Sequence, residues 1–472
     1  MSAPAEAPGG RPGTGAADLT VNRVGARLDR LPLLPVHWRL VMLGQFVWGS
    51  VLLLDVLVPR VYPVYWKQQN SFGPVAYALL EGAAVGLGPL LGEIIFGYLS
   101  DRVGRKKMMI VSCAVAGLAV WPLGITTNWW ALVVCVIVSS LGIGGVLTIC
   151  PAYNSEWCPP AARNRLMLGA QVMSMAMTQF AGSLIALWLL PGHVLAFVLI
   201  FAIVPLATIP FIIVMMPESA RWLEDNGHAD RADAIVSAME ARAAARHGAL
   251  AEPDYAANLE RDEDKPSIFE VFTGPYRSRT LILLAVWVLF YFGPGGGFTP
   301  FQGVYIVDHG FSSNQLFTLL TIGGAGSVGG VLIASVLNER VERRQLIMCG
   351  CLVFGVGVLL YLLGGGSFEV LVVGTILASG GFAVMLTNQY NYTSATFPTR
   401  LRSVGTGWVD GAGHISATFG ALVAGVFYAM TAASNHVGWF AWFFFVGSLA
   451  PAFILFKFGR NQRRSPLEKI SR

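Results

Sequence analysis

Charged residues are scarce in this chain of 472 residues. Only 12% of the residues are Asp, Glu, Lys or Arg, while 54% are hydrophobic and the mean hydropathy is +0.60. A soluble domain carries about 25% charged residues. The deficit excludes an ordinary soluble protein and predicts an integral membrane protein, because only lipid can cover so much apolar surface. The apolar runs reach the roughly 20 residues that a helical span needs, which excludes a barrel of alternating strands.

Other common features are also missing. The opening stretch, MSAPAEAPGGRPGTGAADLT, holds no apolar segment, so we expect no cleaved signal peptide there, and its Gly, Pro and Ala content predicts a disordered tail. The six cysteines form no metal-binding CxxC cluster and are expected to be packing residues of a protein kept reduced. The sequence has no nucleophile–base motif, metal cluster or phosphate-binding loop. It therefore predicts no enzyme, no cofactor and no metal site.

Twelve apolar segments are predicted to span the membrane, six on each side of one long polar loop. They lie near residues 40–58, 75–99, 108–125, 129–151, 166–190, 194–216, 280–306, 315–337, 345–364, 368–387, 404–430 and 437–458. These segments predict five regions: a disordered cytoplasmic tail (1–36), an N-terminal six-helix bundle (37–216), a cytoplasmic linker (217–279), a C-terminal six-helix bundle (280–458) and a second cytoplasmic tail (459–472). Within the linker, residues 229–247 are predicted to form an amphipathic surface helix.

The basic residues predict the orientation of the chain. Thirty of the 32 Lys and Arg residues lie in the tails or in the connections that follow even-numbered segments. Positive loops stay in the cytoplasm, so we predict a multi-pass protein of the cell (inner or plasma) membrane with both termini cytoplasmic. This membrane pattern, rather than nucleic-acid binding, accounts for the net charge of +5. Arg60 and Lys67 are the two exceptions, and Arg60 is the basic residue placed to reach a central cavity.

The second half of the chain repeats the first. The sequence after segment 2 is GYLSDRVGRK (97–106), and it aligns with SVLNERVERR (335–344) after segment 8. The sequence after segment 4 is YNSEWCPPAAR (153–163), and it aligns with YTSATFPTRLR (392–402) after segment 10. Two matches at nearly the same offset predict two parallel six-helix repeats. Such a duplication is typical of a transporter whose substrate site lies between the halves, near the middle of the bilayer.

The same loops carry a family resemblance. GYLSDRVGRKK resembles the signature loop of the major facilitator superfamily. EWCPPAAR and PESARWL (217–223) resemble motifs shared by sugar porters, organic-ion transporters and synaptic-vesicle-protein-like metabolite transporters. LDRLPLLPVHWRL (28–40) resembles the segment before span 1 of niacin-type and aromatic-acid:proton symporters. The resemblance implies an all-α integral membrane protein of the major facilitator fold, with 12 transmembrane helices as two six-helix pseudo-repeats.

Charged residues near the predicted cytoplasmic loops are candidates for a gate. The resemblance implies that such clusters latch the outward-facing state and break when the two halves rock. The alternative is ordinary cytoplasmic charge combined with helix capping. The candidate gate residues are Glu93, Asp101, Arg102, Arg105, Glu156 and Arg163.

Three ionisable residues inside the segments are candidates for proton coupling. A charge at the centre of a span costs about 2.5–3.5 kcal/mol on insertion scales, and such residues usually line a pathway. Asp55 in segment 1 can bind and release a proton, or alternatively pair with Arg60 or cap a kink at Pro59. Asp410 and His414 in segment 11 are four residues apart, so they share a helix face and can hydrogen-bond. Organic-anion carriers of this branch often have Arg where this chain has His414.

Polar and aromatic residues complete the predicted substrate cavity. Segment 7 is expected to break at YFGPGGGFTPFQ (291–302), where Gly and Pro free the backbone. The candidate cavity residues are Arg60, Gln171, Gln179, Tyr291, Gln302, Asn388 and Trp408.

These features predict a monomeric secondary transporter, with a small-molecule substrate, protons and the lipid bilayer as partners. The predicted activity is proton-coupled import of an aromatic or other organic acid, or of a related neutral compound such as a lactone. The alternatives are a proton-coupled exporter or carrier of organic cations and drugs, a sugar or polyol porter, and a non-transporting receptor on the same fold.

Overall fold

Helices make up most of the protein. The computed structural model describes residues 19–21, 23–67, 73–159, 162–255, 259–261, 267, 269–338, 340–364, 367–397, 401–430 and 436–461. Two three-residue strands, Leu19–Val21 and Leu259–Arg261, pair antiparallel. They are a minor addition to the predicted all-α architecture.

The predicted spans are present as long apolar helices. Ten helices in the described ranges are long and apolar enough to cross a membrane, and two more form one span bent by 43°. The last helix of the described chain completes the twelve predicted spans. Spans 1–6 form the first half: Pro35–Leu52 with Leu57–Trp66, Pro74–Val103, Arg105–Gly124, Trp129–Trp157, Gly169–Leu189 and Val194–Met215. Spans 7–12 form the second half: Gly274–Asp308, Ser313–Leu337, Arg343–Leu363, Phe368–Thr396, Arg402–Met430 and His436–Phe458.

Span 1 is longer than predicted and is broken in the middle. The first helix ends at Leu52, and the next begins at Leu57. Pro59 has no N–H to donate to the carbonyl of Asp55, and its ring crowds that carbonyl, so a regular helix cannot pass through this turn. The amides of the turn bond three residues back instead, as in Asp55 N to Leu52 O at 3.1 Å. The break places Asp55 at a bend and Arg60 well inside the span.

Span 7 is not broken, which corrects the prediction for residues 291–302. The helix Arg277–Phe290 widens into a π-helical segment, Tyr291–Phe298, and continues as Thr299–Asp308. The wider turn accommodates Pro294, and the Thr299 hydroxyl donates to its carbonyl at 3.0 Å. Similar π-helical segments interrupt spans 1, 2 and 5. Wide turns of this kind occur frequently at functional sites.

The predicted disorder of residues 1–36 is wrong for the part of the tail that the structure describes. The N-terminal helix, Arg23–Asp29, docks on the linker helix, Ala229–His247, which occupies the predicted range. Arg27 and Arg30 contact the Glu240 carboxylate at 2.7 and 2.6 Å. Burial works against ionisation of Glu240, but these hydrogen bonds outweigh it and lower the pKa of its carboxyl. The whole N-terminal half separates the partners along the chain, so the tail sequence alone does not reveal the docking.

Candidate functional site

A cavity of about 1050 Å³ lies between the two halves. Both halves contribute to its wall, including Gln171 and Gln179 from span 5 and Gln302 from span 7. The cavity extends to Arg221 and Arg343, which follow spans 6 and 8. It therefore reaches toward the face that carries the connections after even-numbered spans, called the basic face below.

The halves meet at the other end of the cavity, called the opposite face. Lys67 at the end of span 1 forms an ion pair with Asp308 at the end of span 7. The Tyr428 hydroxyl of span 11 donates to the same Asp308 carboxylate at 2.8 Å. Deeper in the protein, the Tyr77 hydroxyl of span 2 donates to the Pro300 carbonyl of span 7 at 2.6 Å. These contacts hold the opposite face closed while the cavity extends to the basic face.

His414 lies at the contact between span 2 and span 11. The residue is 4% exposed, and its Nδ1 lies 2.8 Å from the Val85 carbonyl oxygen. Because a carbonyl only accepts, Nδ1 carries the proton that bonds to Val85. Nε2 then faces Glu93 Oε1 at 3.3 Å and Asp410 Oδ1 at 3.9 Å. The predicted direct hydrogen bond between Asp410 and His414 is therefore absent, since the imidazole turns toward Glu93.

The three groups form a cluster that is suited to holding a proton. Ligand atoms of Glu93, Asp410 and His414 all lie within 4.8 Å of one another, so they could share one cation. In a neutral imidazole the lone pair on Nε2 would face two carboxylates and be repelled by them. A proton on Nε2, or on one of the carboxyl groups, removes that repulsion. The geometry thus provides a chemical reason for an exchangeable proton at this place, which we call the proton cluster.

Aromatic side chains enclose the proton cluster on the side of the second half. The Tyr390 hydroxyl donates to the two Asp410 carboxylate oxygens at 3.2 and 3.3 Å. The Tyr291 ring lies 5.1 Å from the His414 ring and stacks on Trp287 at 5.7 Å. Tyr291, Tyr390, Asp410 and His414 all line the cavity. A substrate in the cavity would therefore contact the proton cluster and its aromatic enclosure directly.

The π-helical segment of span 2 explains how the cluster reaches across the two halves. Carbonyl groups in Gly82–Leu87 accept bonds from span 11: Val85 from His414, and Gly82 from the Thr418 hydroxyl at 3.0 Å. Gly86 follows Val85 and faces span 11, because a side chain there would collide with Thr418 and the His414 carbonyl. The glycine thus permits the close approach that brings His414 to Glu93.

A second charged group lies on the first-half side of the cavity. Arg60 is 4% exposed, and its guanidinium donates to the Ser183 hydroxyl at 2.6 Å and to the Val56 carbonyl at 2.9 Å. Asp55 and Glu81 are near enough to attract this charge and also line the cavity. Within the described residues, however, no carboxylate oxygen lies close enough to form an ion pair with Arg60. Arg60 is therefore a buried cation, held by neutral groups, at the wall of the cavity.

Two predicted cavity residues lie elsewhere. Trp408 is 36% exposed and packs against the rings of Phe269 and Phe272, and Asn388 is fully buried with its amide donating to the Val384 carbonyl at 2.8 Å. Each is two residues before a cavity residue, Asp410 or Tyr390. Two residues correspond to about 200° around a helix, so these side chains point away from the cavity. The other predicted cavity residues, including Arg60 and Tyr291, line it.

At the basic face, part of the predicted gate comes together. Arg105 contacts Asp101 at 2.5 Å and Glu156 at 3.4 Å, which connects the loop after span 2 to the end of span 4. Arg102 instead lies over the exposed ring of Tyr98 at 4.1 Å. The side chain of Arg163 is outside the described residues.

Glu93 is the second departure from the predicted gate, after Arg102. The sequence prediction groups it with the loop after span 2, but the structure places it beside His414. Its partner belongs to the other half of the chain, so spacing along span 2 could not reveal the contact. Glu81 and Tyr390 are the main residues of the site that the sequence prediction omitted. Both were visible as polar residues in apolar surroundings, and that signal does not say which face of a helix they occupy.

Comparison with known proteins identifies the family. A sequence profile described as "Sugar (and other) transporter" matches residues 60–472. The chain belongs to this transporter family. A gallate transporter of Pseudomonas putida is 26% identical over 416 residues, covering 84% of this chain and 87% of the relative. The niacin transporter NiaP of Acinetobacter baylyi is 24% identical over 451 residues, covering 94% of this chain and 99% of the relative.

The fold of this transporter is that of the major facilitator superfamily. The xylose transporter XylE of E. coli, in a partially occluded inward-open conformation, matches with a TM-score of 0.69 at 16% identity. The match covers 91% of this chain and 99% of that structure. The predicted 12-helix architecture is confirmed by this likeness, and the protein is a multi-pass metabolite transporter rather than an enzyme.

Proposed function

We propose that this transporter imports a small aromatic or other organic acid together with protons. The observation that carries the proposal is Arg60, a buried guanidinium at the cavity wall without a carboxylate in ion-pair contact among the described residues. A buried charge costs several kcal/mol unless an opposite charge and hydrogen bonds compensate it. A substrate carboxylate would supply that compensation, and a guanidinium binds a carboxylate through two parallel hydrogen bonds. The relatives named for gallate and niacin support this class of substrate.

The substrate ring would lie between Arg60 and the aromatic enclosure of the second half. Trp48, Tyr291 and Phe382 line the same cavity and offer ring surfaces for stacking. Gln171 and Gln179 are placed to bind ring hydroxyl groups. This arrangement would prefer a planar acid with polar substituents over a flexible aliphatic acid.

The proton cluster would couple transport to the proton gradient. Its two carboxylates and His414 join span 2 to span 11, so its charge affects a contact between the halves. With a proton bound, the cluster is compact. After the proton leaves toward the basic face, repulsion between the carboxylates and the imidazole lone pair would favour separation of spans 2 and 11. Asp55, at the bend of span 1 and near His414, is the second candidate carrier.

The orientation follows from the same proposal. We place the basic face in the cytoplasm, which makes the described conformation inward-facing. Asp101, Arg105 and Glu156 would then form the cytoplasmic gate cluster of the first half, and Lys67 with Asp308 would form the external one. Opening of the external pair would let substrate enter from outside.

A sugar or polyol is a second candidate, favoured by one observation. Three glutamines, Gln171, Gln179 and Gln302, line the cavity, and amide groups suit the hydroxyls of a neutral polyol. The two candidates differ in how they use Arg60, because a neutral polyol leaves its charge unpaired.

A substrate panel tests the proposal. Proteoliposomes containing the purified protein would be loaded with one unlabelled compound at a time and assayed for counterflow of the same labelled compound. The compounds are gallate, 4-hydroxybenzoate, nicotinate, the amide of each acid, a lactone, xylose and a quaternary amine. We expect exchange of at least one aromatic acid, and at least tenfold less exchange of its amide. Exchange of xylose without any acid would support the polyol candidate instead, and exchange of the quaternary amine alone would reject both.

A further inference from the structure

A second groove lies outside the transport cavity, where span 1 begins. Its volume is about 370 Å³, and it is formed by the start of span 1 and the C-terminal part of the linker helix. Its lining consists of Leu34, Pro35, Val36, Arg39, Arg242 and Arg246. We call it the arginine groove. Three of the six residues are apolar, and the other three are arginines.

The arginines of the groove differ from those nearby in having no acidic partner. Arg27, Arg30 and Arg221 are each paired with a carboxylate at 2.6–2.7 Å. Within the described residues, no carboxylate pairs with Arg39, Arg242 or Arg246, and all three are exposed. The groove therefore concentrates three positive charges without a carboxylate partner in the part of the chain that the structure describes.

The position of the groove selects the ligand. Pro35 is the first residue of span 1, so the groove lies at the level where the chain enters the bilayer. Phospholipid head groups lie at this level. Phosphate is recognised well by guanidinium groups, and Leu34, Pro35 and Val36 offer an apolar floor to the adjoining part of the lipid.

We propose that the arginine groove binds the head group of an anionic phospholipid from the leaflet at the basic face. Each basic residue near the surface of a membrane adds to the attraction of anionic lipid, and three arginines together correspond to roughly a 100-fold preference for anionic over zwitterionic lipid. Simple cytoplasmic charge would account for arginines scattered on the linker helix. It would not account for their convergence with Arg39 on one groove that has an apolar floor.

The bound lipid would join two parts of the chain. Arg39 belongs to span 1 of the first half, and Arg242 and Arg246 belong to the linker between the halves. A phosphate shared by these side chains would hold the linker helix against the start of span 1. Lipid binding should therefore stabilise the docked linker as well as anchor it to the membrane.

The test compares lipid binding of the purified full-length protein in neutral detergent. Dioleoyl-phosphatidylglycerol, dioleoyl-phosphatidylcholine and glycerophosphate would be titrated, with bound lipid counted by native mass spectrometry. The double variant Arg242→Gln/Arg246→Gln removes two charges of the groove. Arg231→Gln is the matched control, because Arg231 is an exposed arginine of the same helix outside the groove. The melting temperature without lipid would check that each variant is folded.

We expect the wild type and Arg231→Gln to bind phosphatidylglycerol at concentrations at least tenfold lower than those needed for phosphatidylcholine. The double variant should lose this preference while keeping its melting temperature. An unchanged preference in the double variant would overturn the proposal. Competition by glycerophosphate at the same concentration as the lipid would also overturn it, since the groove would then bind a free anion. If the double variant is unfolded, the same comparison would be made with Arg39→Gln, and an unchanged preference in that variant would overturn the proposal. No transport is measured, so failure here would leave the proposed function untouched.

Discussion

Replacing Arg60 by glutamine tests how the substrate is held. The variant removes the positive charge from the cavity wall but keeps a side chain that can reach the Ser183 hydroxyl. In the wild type that hydroxyl accepts from the guanidinium at 2.6 Å, and the Val56 carbonyl accepts at 2.9 Å. A third bond runs from Nε to the same hydroxyl at 3.3 Å, and the remaining N–H groups of this cavity-lining residue are available to an anion. The position is therefore prepared for an anion, and the substitution should act on anions selectively.

The size of the effect follows from the burial of Arg60. Each hydrogen bond to a charged group contributes about 1.5–3 kcal/mol, and a guanidinium offers two to a carboxylate. Coulomb attraction at 4 Å with an effective dielectric of 20 is about 4 kcal/mol, which is of the same order. A glutamine amide recovers about one neutral hydrogen bond. The net loss should be about 3 kcal/mol, or roughly a 150-fold weaker affinity for the acid.

The assay is equilibrium binding of an aromatic acid and of its neutral amide to the detergent-solubilised protein. We expect Arg60→Gln to weaken binding of the acid about 150-fold and to change binding of the amide less than threefold. Ser183→Ala serves as the control, because it removes the hydroxyl that accepts two bonds from the guanidinium but removes no charge, and it should weaken binding of the acid about tenfold at most. Equal loss for acid and amide, or no loss for either, would refute the assignment of Arg60 as the carboxylate anchor.

Three further predictions concern the proton cluster, the opposite face and the docked N-terminal helix. Asp410→Asn removes one carboxylate of the cluster, so the acid should reach equal concentrations on both sides of the membrane despite a pH gradient, while counterflow persists. Loss of both accumulation and counterflow would contradict a coupling role. Asp308→Asn removes the partner of Lys67 and should open the opposite face. A cysteine introduced as Gln302→Cys should then react several times faster with an impermeant thiol reagent added on that side. Asp308→Glu keeps the carboxylate, so in that variant the reaction should stay slow. Glu240→Gln should weaken docking of the N-terminal helix by about 1–2 kcal/mol, seen as faster amide exchange at pH 7. Docking lowers the pKa of Glu240, so the carboxylate stabilises the docked helix fully when the pH is above the ordinary pKa of a glutamate. This stabilisation is lost as the pH falls through the lowered pKa. The amide exchange rates of the variant and the wild type should therefore converge in acid.

The architecture of the fold could be predicted from the sequence because it depends on patterns that are local. Apolar runs of sufficient length mark the spans, and the repeated loops at 97–106 and 335–344 mark the duplication. The bend in span 1 and the wide turn in span 7 both occur near prolines, but proline alone does not say which irregularity forms. In span 7 the helix continues through Tyr291–Phe298, and this wide turn packs against span 11, a contact between segments far apart in the sequence.

The site could be predicted only in part, because its contacts cross between the halves. Polarity in an apolar segment was enough to select Asp55, Asp410 and His414. The partner of His414 could not be selected in this way, since Glu93 comes from span 2 and reaches the imidazole through a π-helical turn. Trp408 was predicted to line the cavity because an aromatic ring can stack on a substrate. Its position around the helix instead places it against Phe272, outside the cavity.

The central claim is that an organic acid and a proton move together, and accumulation against a gradient tests it most directly. Proteoliposomes containing the wild-type protein would be given an interior one pH unit more alkaline than the medium, with a labelled aromatic acid outside. One pH unit corresponds to about 1.4 kcal/mol per proton, so symport of one proton with a monoanion predicts about tenfold accumulation. The accumulation should disappear with a protonophore. Uptake that stops at equal concentrations on both sides, with or without the pH gradient, would contradict the account.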